Sequence, residues 1–260
     1  MRARSHTARD FEVLIPEWPA PANVRAAFTL RTGGVSAAPF NTLNVGAHVG
    51  DVPAQVADNR QRVRTALALP AEPAWLEQVH GTAVVALDEA ALPTATADAI
   101  LTRRAGRVCV VQVADCLPVL FAAADGSAVA AAHAGWRGLA AGVLEATVTS
   151  LGIEPRRLLA WLGPAISARH FEVGAEVRAA FTAADAGAAA AFVANARGRW
   201  QCDLAQLARR RLAALGLSEV FGGSWCTYAD PLRFFSYRRD GQCGRMAALI
   251  WLQGERMHAC

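Results

Sequence analysis

The chain has 260 residues, 53% of them hydrophobic and 18% charged, with a formal net charge of +4. A chain of this kind can bury a sizeable core in one large domain or two. No run approaches the roughly 18 uninterrupted apolar residues of a membrane span, and the polar start MRARSHTARDFEV lacks a secretory core, so a cytoplasmic protein is expected. All 26 basic residues are arginine. This excludes Schiff-base and pyridoxal phosphate chemistry and the lysine of a P-loop, so any phosphate site has to use arginine forks or backbone N–H groups. The six cysteines (109, 116, 202, 226, 243 and 260) form no C-x-x-C pair, a usage that fits a reduced protein better than a disulfide framework.

In chain order, residues 1–24 read as a peripheral N-terminal segment ending in the loop-like EWPAPANV. The stretch 51–70 has helical spacing, with Val56, Val63 and Leu67 on one side and Pro70 as a stop. Short apolar runs follow: RVCVVQVA, LPVLFAA, AVAAAHA, LLAWLG and, near the end, RMAALIWL. The alanine-rich run 185–198 reads as a surface helix or loop. The stretch 203–217 is an amphipathic helix with Leu204, Leu207, Leu212 and Leu215 inward, Gly216 as its C-cap and a solvated RRR face. No repeat or linker divides the chain, and strands and helices mix without regular β-α alternation. The expected class is α+β, one domain over 1–260 with sheets packed together and helices outside.

The central hairpin carries chemistry. LPVLFAA and AVAAAHA flank Asp125-Gly126, a strong hairpin signal, and a turn centred there pairs residues whose numbers sum to 251. His133 then faces Pro118 and Cys116 faces Gly135. Cys116 and His133 share one face as a diagonal pair about 7 to 8 Å apart at the backbone, from which a thiolate and an imidazole can converge on one metal ion. The best third ligand is His80 in WLEQVHG, at the end of an apolar stretch and before a glycine. The same Cys116/His133 pair would also serve a metal-free cysteine hydrolase, with Cys116 as nucleophile. A non-catalytic nucleic-acid module using RRR and SYRR is a further alternative, and it predicts steeply salt-dependent binding.

The blocks RTGGVSAAPFNTLNVGAHVGD, WLEQVHG, ADAILT, VADCLPVLF, AAAHAGWRG, WLGPAI, FEVG, CTY and FFSYRRDGQCGR, running from Arg31 to Trp251, resemble the laccase-domain family of polyphenol oxidoreductase-like proteins, also called peptidoglycan editing factor. The resemblance implies a single α+β domain of layered mixed sheets flanked by helices (α/β/β/α). It also implies a zinc site on His80, Cys116 and His133, with copper as an alternative occupant. Laccase chemistry proper needs paired His-x-His clusters, and the six histidines here form no such pair. Departures from the family pattern are Ser167 after GPAI and Cys243 in GQCGR.

The chemistry that the resemblance implies is phosphorolysis of adenosine, inosine and methylthioadenosine, with deamination of adenosine and secondary copper-dependent polyphenol oxidation. The expected partners are a small-molecule nucleoside and phosphate, with no nucleic acid and no membrane. The family's other name implies an alternative substrate, a nucleotide-linked muramyl precursor bearing a wrong amino acid. Phosphorolysis needs an oxyanion aimed at the anomeric carbon, so Arg31, Arg137, Arg238 and Arg239, together with Asn44, are candidate phosphate or ribose contacts. Deamination needs a proton shuttle, for which Asp115 and Glu77 are candidates, and Arg137 stands with them in the catalytic set. Gly33, Gly34 and Ser36 in RTGGVS read as a loop offering N–H groups to an anion or as a plain turn. Asn44 and Asp98 read alternatively as partners of the backbone, and Trp136 as a base stack or a plug at the sheet edge.

Overall fold

In the computed structural model of the chain, residues 11–88 and 95–254 are described. The elements in order are β1 (Val13–Leu14), β2 (Val24–Thr29), α1 (Pro53–Ala66), β3 (Val84–Ala86), β4 (Ala99–Thr102), β5 (Val108–Val113), β6 (Leu117–Ala123), β7 (Val129–Ala134), α2 (Trp136–Ala141), α3 (Val143–Leu151), β8 (Leu158–Leu162), β9 (Glu172–Val173), α4 (Ala175–Thr182), β10 (Phe192–Ala194), β11 (Trp200–Cys202), α5 (Leu204–Ala214), β12 (Val220–Gly222), α6 (Tyr237–Asp240) and β13 (Met246–Leu252). They build a four-stranded sheet in the order β1-β2-β13-β5, a six-stranded sheet β12-β8-β6-β7-β4-β3 and a small sheet β10-β11-β9.

The two large sheets pack face to face, which explains why their central strands are apolar on both faces. Along β13, Met246, Ala248, Ile250 and Leu252 enter the core between the sheets, while Ala247, Leu249 and Trp251 face α1 together with Val63. Along β7, Val129 and Ala131 turn into the inter-sheet core, while Ala130, Ala132 and Ala134 pack on α3 residues such as Leu144 and Val148. The layers are therefore α1, the four-stranded sheet, the six-stranded sheet, and α2 to α5, the α/β/β/α order expected.

Local signals explain the helix ends. Pro53 opens α1, where its missing N–H costs nothing. Asp203 caps α5 by accepting from the Gln206 amide at 2.9 Å. Both expected helices are present, α5 with Leu204, Leu207 and Leu212 buried and Leu215 half-buried. Two expectations change. The run 185–198 is a 3-10 turn (Ala186–Ala191) followed by β10, anchored by buried Ala188, Ala191 and Phe192. The RRR face is tied to the chain: Arg209 donates to the carbonyls of Val220 and Gly222, Arg210 pairs with Asp185 and Arg211 with Glu145. The N-terminal segment contributes β1, an edge strand with Phe11, Val13 and Leu14 buried. No helix among the described residues is long and apolar enough to cross a membrane.

Candidate metal centre

The site forms where β6, β7 and two loops meet at one end of the inter-sheet core. The β6–β7 register pairs Pro118 with His133 and Leu117 with Ala134, the sum-of-251 pairing that the Asp-Gly turn predicts. His133 and Cys116 therefore both face the inter-sheet side. The loop Glu77–Gly81 brings in His80 from beyond the edge of β4. Its anchor is Gln78, whose amide donates to the Gln112 carbonyl at 2.9 Å and accepts from the Gln112 N–H at 2.7 Å.

His80, Cys116 and His133 place their ligand atoms within 4.8 Å of one another. Cys116 Sγ lies 3.8 Å from His80 Nε2, and the two imidazole rings are 4.7 Å apart, edge to face. A tetrahedral zinc with Zn–S of about 2.3 Å and Zn–N of about 2.05 Å wants its S and N ligands ~3.5 Å apart, close to the Cys116–His80 separation. The donor set and spacing fit a borderline-soft divalent ion. His133 is buried, Cys116 half-buried and His80 exposed, so a fourth position opens toward solvent on the His80 side, as in catalytic rather than structural sites.

Asp98 organises this centre. It is wholly buried, and its Oδ1 accepts from His133 Nδ1 at 2.8 Å and from the His80 amide at 2.9 Å. Its Oδ2 accepts from the amides of Val79 at 3.2 Å and Gly81 at 2.6 Å. Three successive N–H groups thus wrap one carboxylate, which holds His80 in the left-handed region at φ 61°, a conformation that costs a non-glycine residue about 1–3 kcal/mol. The same contact fixes the His133 tautomer with its Nε2 lone pair toward Cys116. Burial alone would raise the Asp98 pKa, but the hydrogen bonds from His133 and the backbone hold it below the usual carboxylate value. Burial would likewise raise the Cys116 thiol and lower His133. Their mutual attraction, strengthened by Asp98, outweighs it, pushing Cys116 down and His133 up.

Two glycines make the room. A Cβ on Gly135 would come within 2.9 Å of both Cys116 Sγ and His80 Cδ2, and one on Gly138 within 2.8 Å of the Gly81 carbonyl. Helix α2 can therefore start directly behind His133 and lie against the QVHG loop.

Beside the centre lies a cleft of about 120 Å³ whose walls include Asp115, Cys116, Trp136, Phe171, Tyr237 and Arg238. This is below the roughly 300–1,000 Å³ of pockets that enclose a whole drug-sized ligand, so the cleft suits one flat portion of a substrate.

The other sequence-predicted residues divide sharply. Asp115, at φ 85°, accepts from Thr227 Oγ1 at 2.6 Å, Ser236 Oγ at 3.0 Å and the Arg238 amide at 2.7 Å. Its carboxylate thus orders the cleft wall. Glu77 is exposed and accepts from Thr96 Oγ1 at 2.8 Å. Arg137 is exposed on α2 with its guanidinium 4.4 Å over the Trp136 ring. Arg238 donates one N–H to the Glu172 carbonyl and lies 5.2 Å over Phe171. Arg31 donates three N–H groups to the carbonyls of Asn41 and Pro231, and Arg239 spends all its side-chain donors on Thr227, Tyr228, Phe234 and Asp240. Asn44, wholly buried, bonds Gly46, Asp51 and the Arg245 amide. The RTGGVS amides are also used internally: Gly34 and Ser36 donate to Thr42 and Val35 donates to Asn59, so the loop is a stitched turn. Ser167 donates its hydroxyl to Cys226 Sγ at 3.1 Å.

Sequence reasoning left out the part played by Tyr237. Phe234 and Phe235 are buried, whereas Tyr237 is exposed and lines the cleft. Asp98 was legible as a partner of the backbone; its bond to His133 was not, because β4 meets β7 only in the folded sheet.

Residues 25–253 match the family model described as multi-copper polyphenol oxidoreductase laccase. Among curated relatives, a Pseudomonas aeruginosa protein named purine nucleoside phosphorylase PA4543 is 55% identical over 92% of this chain and 98% of its own length. The Escherichia coli protein named purine nucleoside phosphorylase YfiH is 52% identical over 93% of this chain and 99% of its own. Among solved structures, Neisseria meningitidis protein NMB0706 superposes with a TM-score of 0.90 at 49% identity, covering 93% of this chain and 99% of that one. The chain belongs to the multi-copper polyphenol oxidoreductase laccase family.

Proposed function

We propose that the protein is a metal-dependent purine nucleoside phosphorylase acting on adenosine, inosine and methylthioadenosine, with adenosine deamination at the same centre. The observation that carries this reading is the adjacency of an open His80–Cys116–His133 cluster to a cleft with aromatic walls and a guanidinium. Relatives named purine nucleoside phosphorylase, matched over nearly their full length, support it.

In phosphorolysis an oxygen of hydrogen phosphate bonds to the anomeric carbon as the bond to the purine nitrogen breaks. The bonding pair leaves on the purine, which takes up the proton the phosphate carried, and the products are free base and sugar 1-phosphate. Trp136, Phe171 and Tyr237 offer π-faces and edges to the purine, and Arg238 offers its remaining N–H donors at the cleft wall. Asp115 keeps that wall in place by holding Ser236, Thr227 and the Arg238 amide. Asp98 keeps His133 oriented, and Gly135 keeps the space between the ligands clear. When bound, zinc supplies a positive centre that polarises a substrate oxygen or acidifies a water. Deamination also needs a proton carrier, and of the two carboxylates considered Asp115 is the one on the cleft. The proposed partners are a nucleoside and phosphate, the proposed metal is zinc, and the proposed location is the cytoplasm.

One observation favours a second reading. Asp98, His133 and Cys116 form a line of orienting carboxylate, imidazole and activated thiol, the arrangement of a cysteine hydrolase. Incubating the protein with inosine, with and without phosphate, separates the two. Phosphate-dependent release of hypoxanthine with equimolar ribose 1-phosphate is expected, and phosphate-independent turnover blocked by thiol alkylation would favour the hydrolase.

A further inference from the structure

The arginines that the motifs single out are turned toward the chain's own carbonyls or toward the aromatic wall of the cleft. Arg31 and Arg239 donate to carbonyls, Arg137 covers Trp136, and Arg238 belongs to the wall of the cleft. Arg245 stands otherwise. Its Nη1 is anchored by the carbonyls of Cys243 at 2.9 Å and Gly244 at 3.2 Å, and its backbone N–H by Asn44 Oδ1 at 2.8 Å. Its Nε and Nη2 have no hydrogen-bond partner among the described residues, and no carboxylate there pairs with it. The guanidinium lies 5.9 Å from the ring of Tyr237, a residue of the cleft wall.

The loop 44–51 is built around this arginine. A Cβ on Gly46 would come within 2.7 Å of Arg245 Cγ, so only glycine lets the side chain cross there. Asn44 bonds both Gly46 and Asp51, and Asp51 Oδ2 is further occupied by Ser36 Oγ at 2.6 Å, which removes the nearby carboxylate as a competitor. Asn59 then ties Ser36, Thr42 and Asn44 together. The outcome of all this stitching is the position of His48, whose ring nitrogens carry no bond among the described residues. The charges that act on His48 are those of Arg245, Arg60, His133 and His80. Partial burial and then the Arg245 charge hold its pKa below the ordinary value.

We propose that Arg245 and His48 form a phosphate subsite beside the His80–Cys116–His133 centre, next to the aromatic cleft. This rests on the phosphorylase reading for its role, and it assigns the co-substrate to residues outside the motif arginines. An attack on the anomeric carbon needs phosphate and base on opposite faces of that carbon, and a subsite next to the cleft rather than in it leaves room for the ribose between them. A guanidinium presenting two adjacent N–H groups matches two oxygens of one phosphate.

The test compares wild-type, Arg245→Gln, Arg245→Lys and His48→Gln proteins, each shown to be folded and to carry the wild-type metal content. Binding of inorganic phosphate is read by 31P NMR titration without nucleoside, and the KM values for phosphate and inosine are measured separately. Expected for Arg245→Gln is a phosphate KM raised about 30-fold, the loss of a charge-assisted hydrogen-bond pair, with the inosine KM within about twofold of wild type. Arg245→Lys recovers part of that loss, and His48→Gln gives a smaller rise of about fivefold. An unchanged phosphate KM in Arg245→Gln, or wild-type protein that binds no phosphate at millimolar concentration, overturns the subsite. If the wild type binds phosphate but cleaves no nucleoside, the phosphorylase reading fails and the titration alone decides: binding lost in Arg245→Gln upholds the subsite, and binding retained removes it.

Discussion

Replacing Asp98 with asparagine is nearly isosteric and tests how the centre is held. The carboxylate accepts four hydrogen bonds, two on each oxygen. An asparagine keeps one oxygen and therefore at most two of them; its NH2 group confronts two N–H donors in a site closed to water. Losing two charge-assisted bonds and stranding their donors costs about 3–5 kcal/mol of stability. The His133 tautomer and the left-handed turn at His80 lose their support together, so metal affinity falls by about 10- to 100-fold. Stability has a pH signature as well. Because the Asp98 pKa is depressed on folding, its contribution is present above the ordinary carboxylate range and is lost as the pH falls through the folded value; Asp98→Asn lacks that acid limb. Urea unfolding between pH 3 and 7 and competitive chelator titration read both effects. A variant that binds zinc within threefold of wild type, with unchanged stability at pH 7, would refute the role given to Asp98.

Metal-free protein should show Cys116 as a thiolate at neutral pH, seen as absorbance near 240 nm that disappears in Cys116→Ala; His133→Gln should return the thiol toward its ordinary pKa. Gly135→Ala places a methyl group 2.9 Å from Sγ and from the His80 ring, so the protein should fold but lose most of its metal, as measured by atomic emission. Arg239→Gln removes donors to the carbonyls of Thr227, Tyr228 and Phe234; it should cost about 2 kcal/mol in urea unfolding while leaving the phosphate KM within twofold.

Local signals carried much of this structure. Asp125-Gly126 set the β6–β7 register, and with it the shared face of Cys116 and His133, because side-chain alternation along a strand leaves one answer once the turn is known. The apolar runs gave sheets packed together with helices outside, and the layer order came with the family resemblance. The short strands β9 to β12 were invisible because pairings of two or three residues, such as those around Phe192 and Cys202, leave no periodicity to read. Arg31 and Arg239 looked like anion ligands because nothing in a motif tells whether a guanidinium faces a substrate or the chain's own carbonyls. The proposed pairing of His48 with Arg245 left no mark in the sequence for the opposite reason: nearly 200 positions separate them, and Asn44, bonding both Gly46 and the Arg245 amide, draws their segments together.

The measurement to make first is metal stoichiometry alongside phosphate-dependent hypoxanthine release from inosine, on wild-type and Cys116→Ala protein, before and after chelation and reloading with zinc or copper. About one zinc per chain in the wild type is expected, with activity lost on chelation, restored by zinc and absent from Cys116→Ala. Metal-free protein that stays folded and turns over substrate through Cys116 without phosphate would contradict the metal centre and leave the cysteine hydrolase standing.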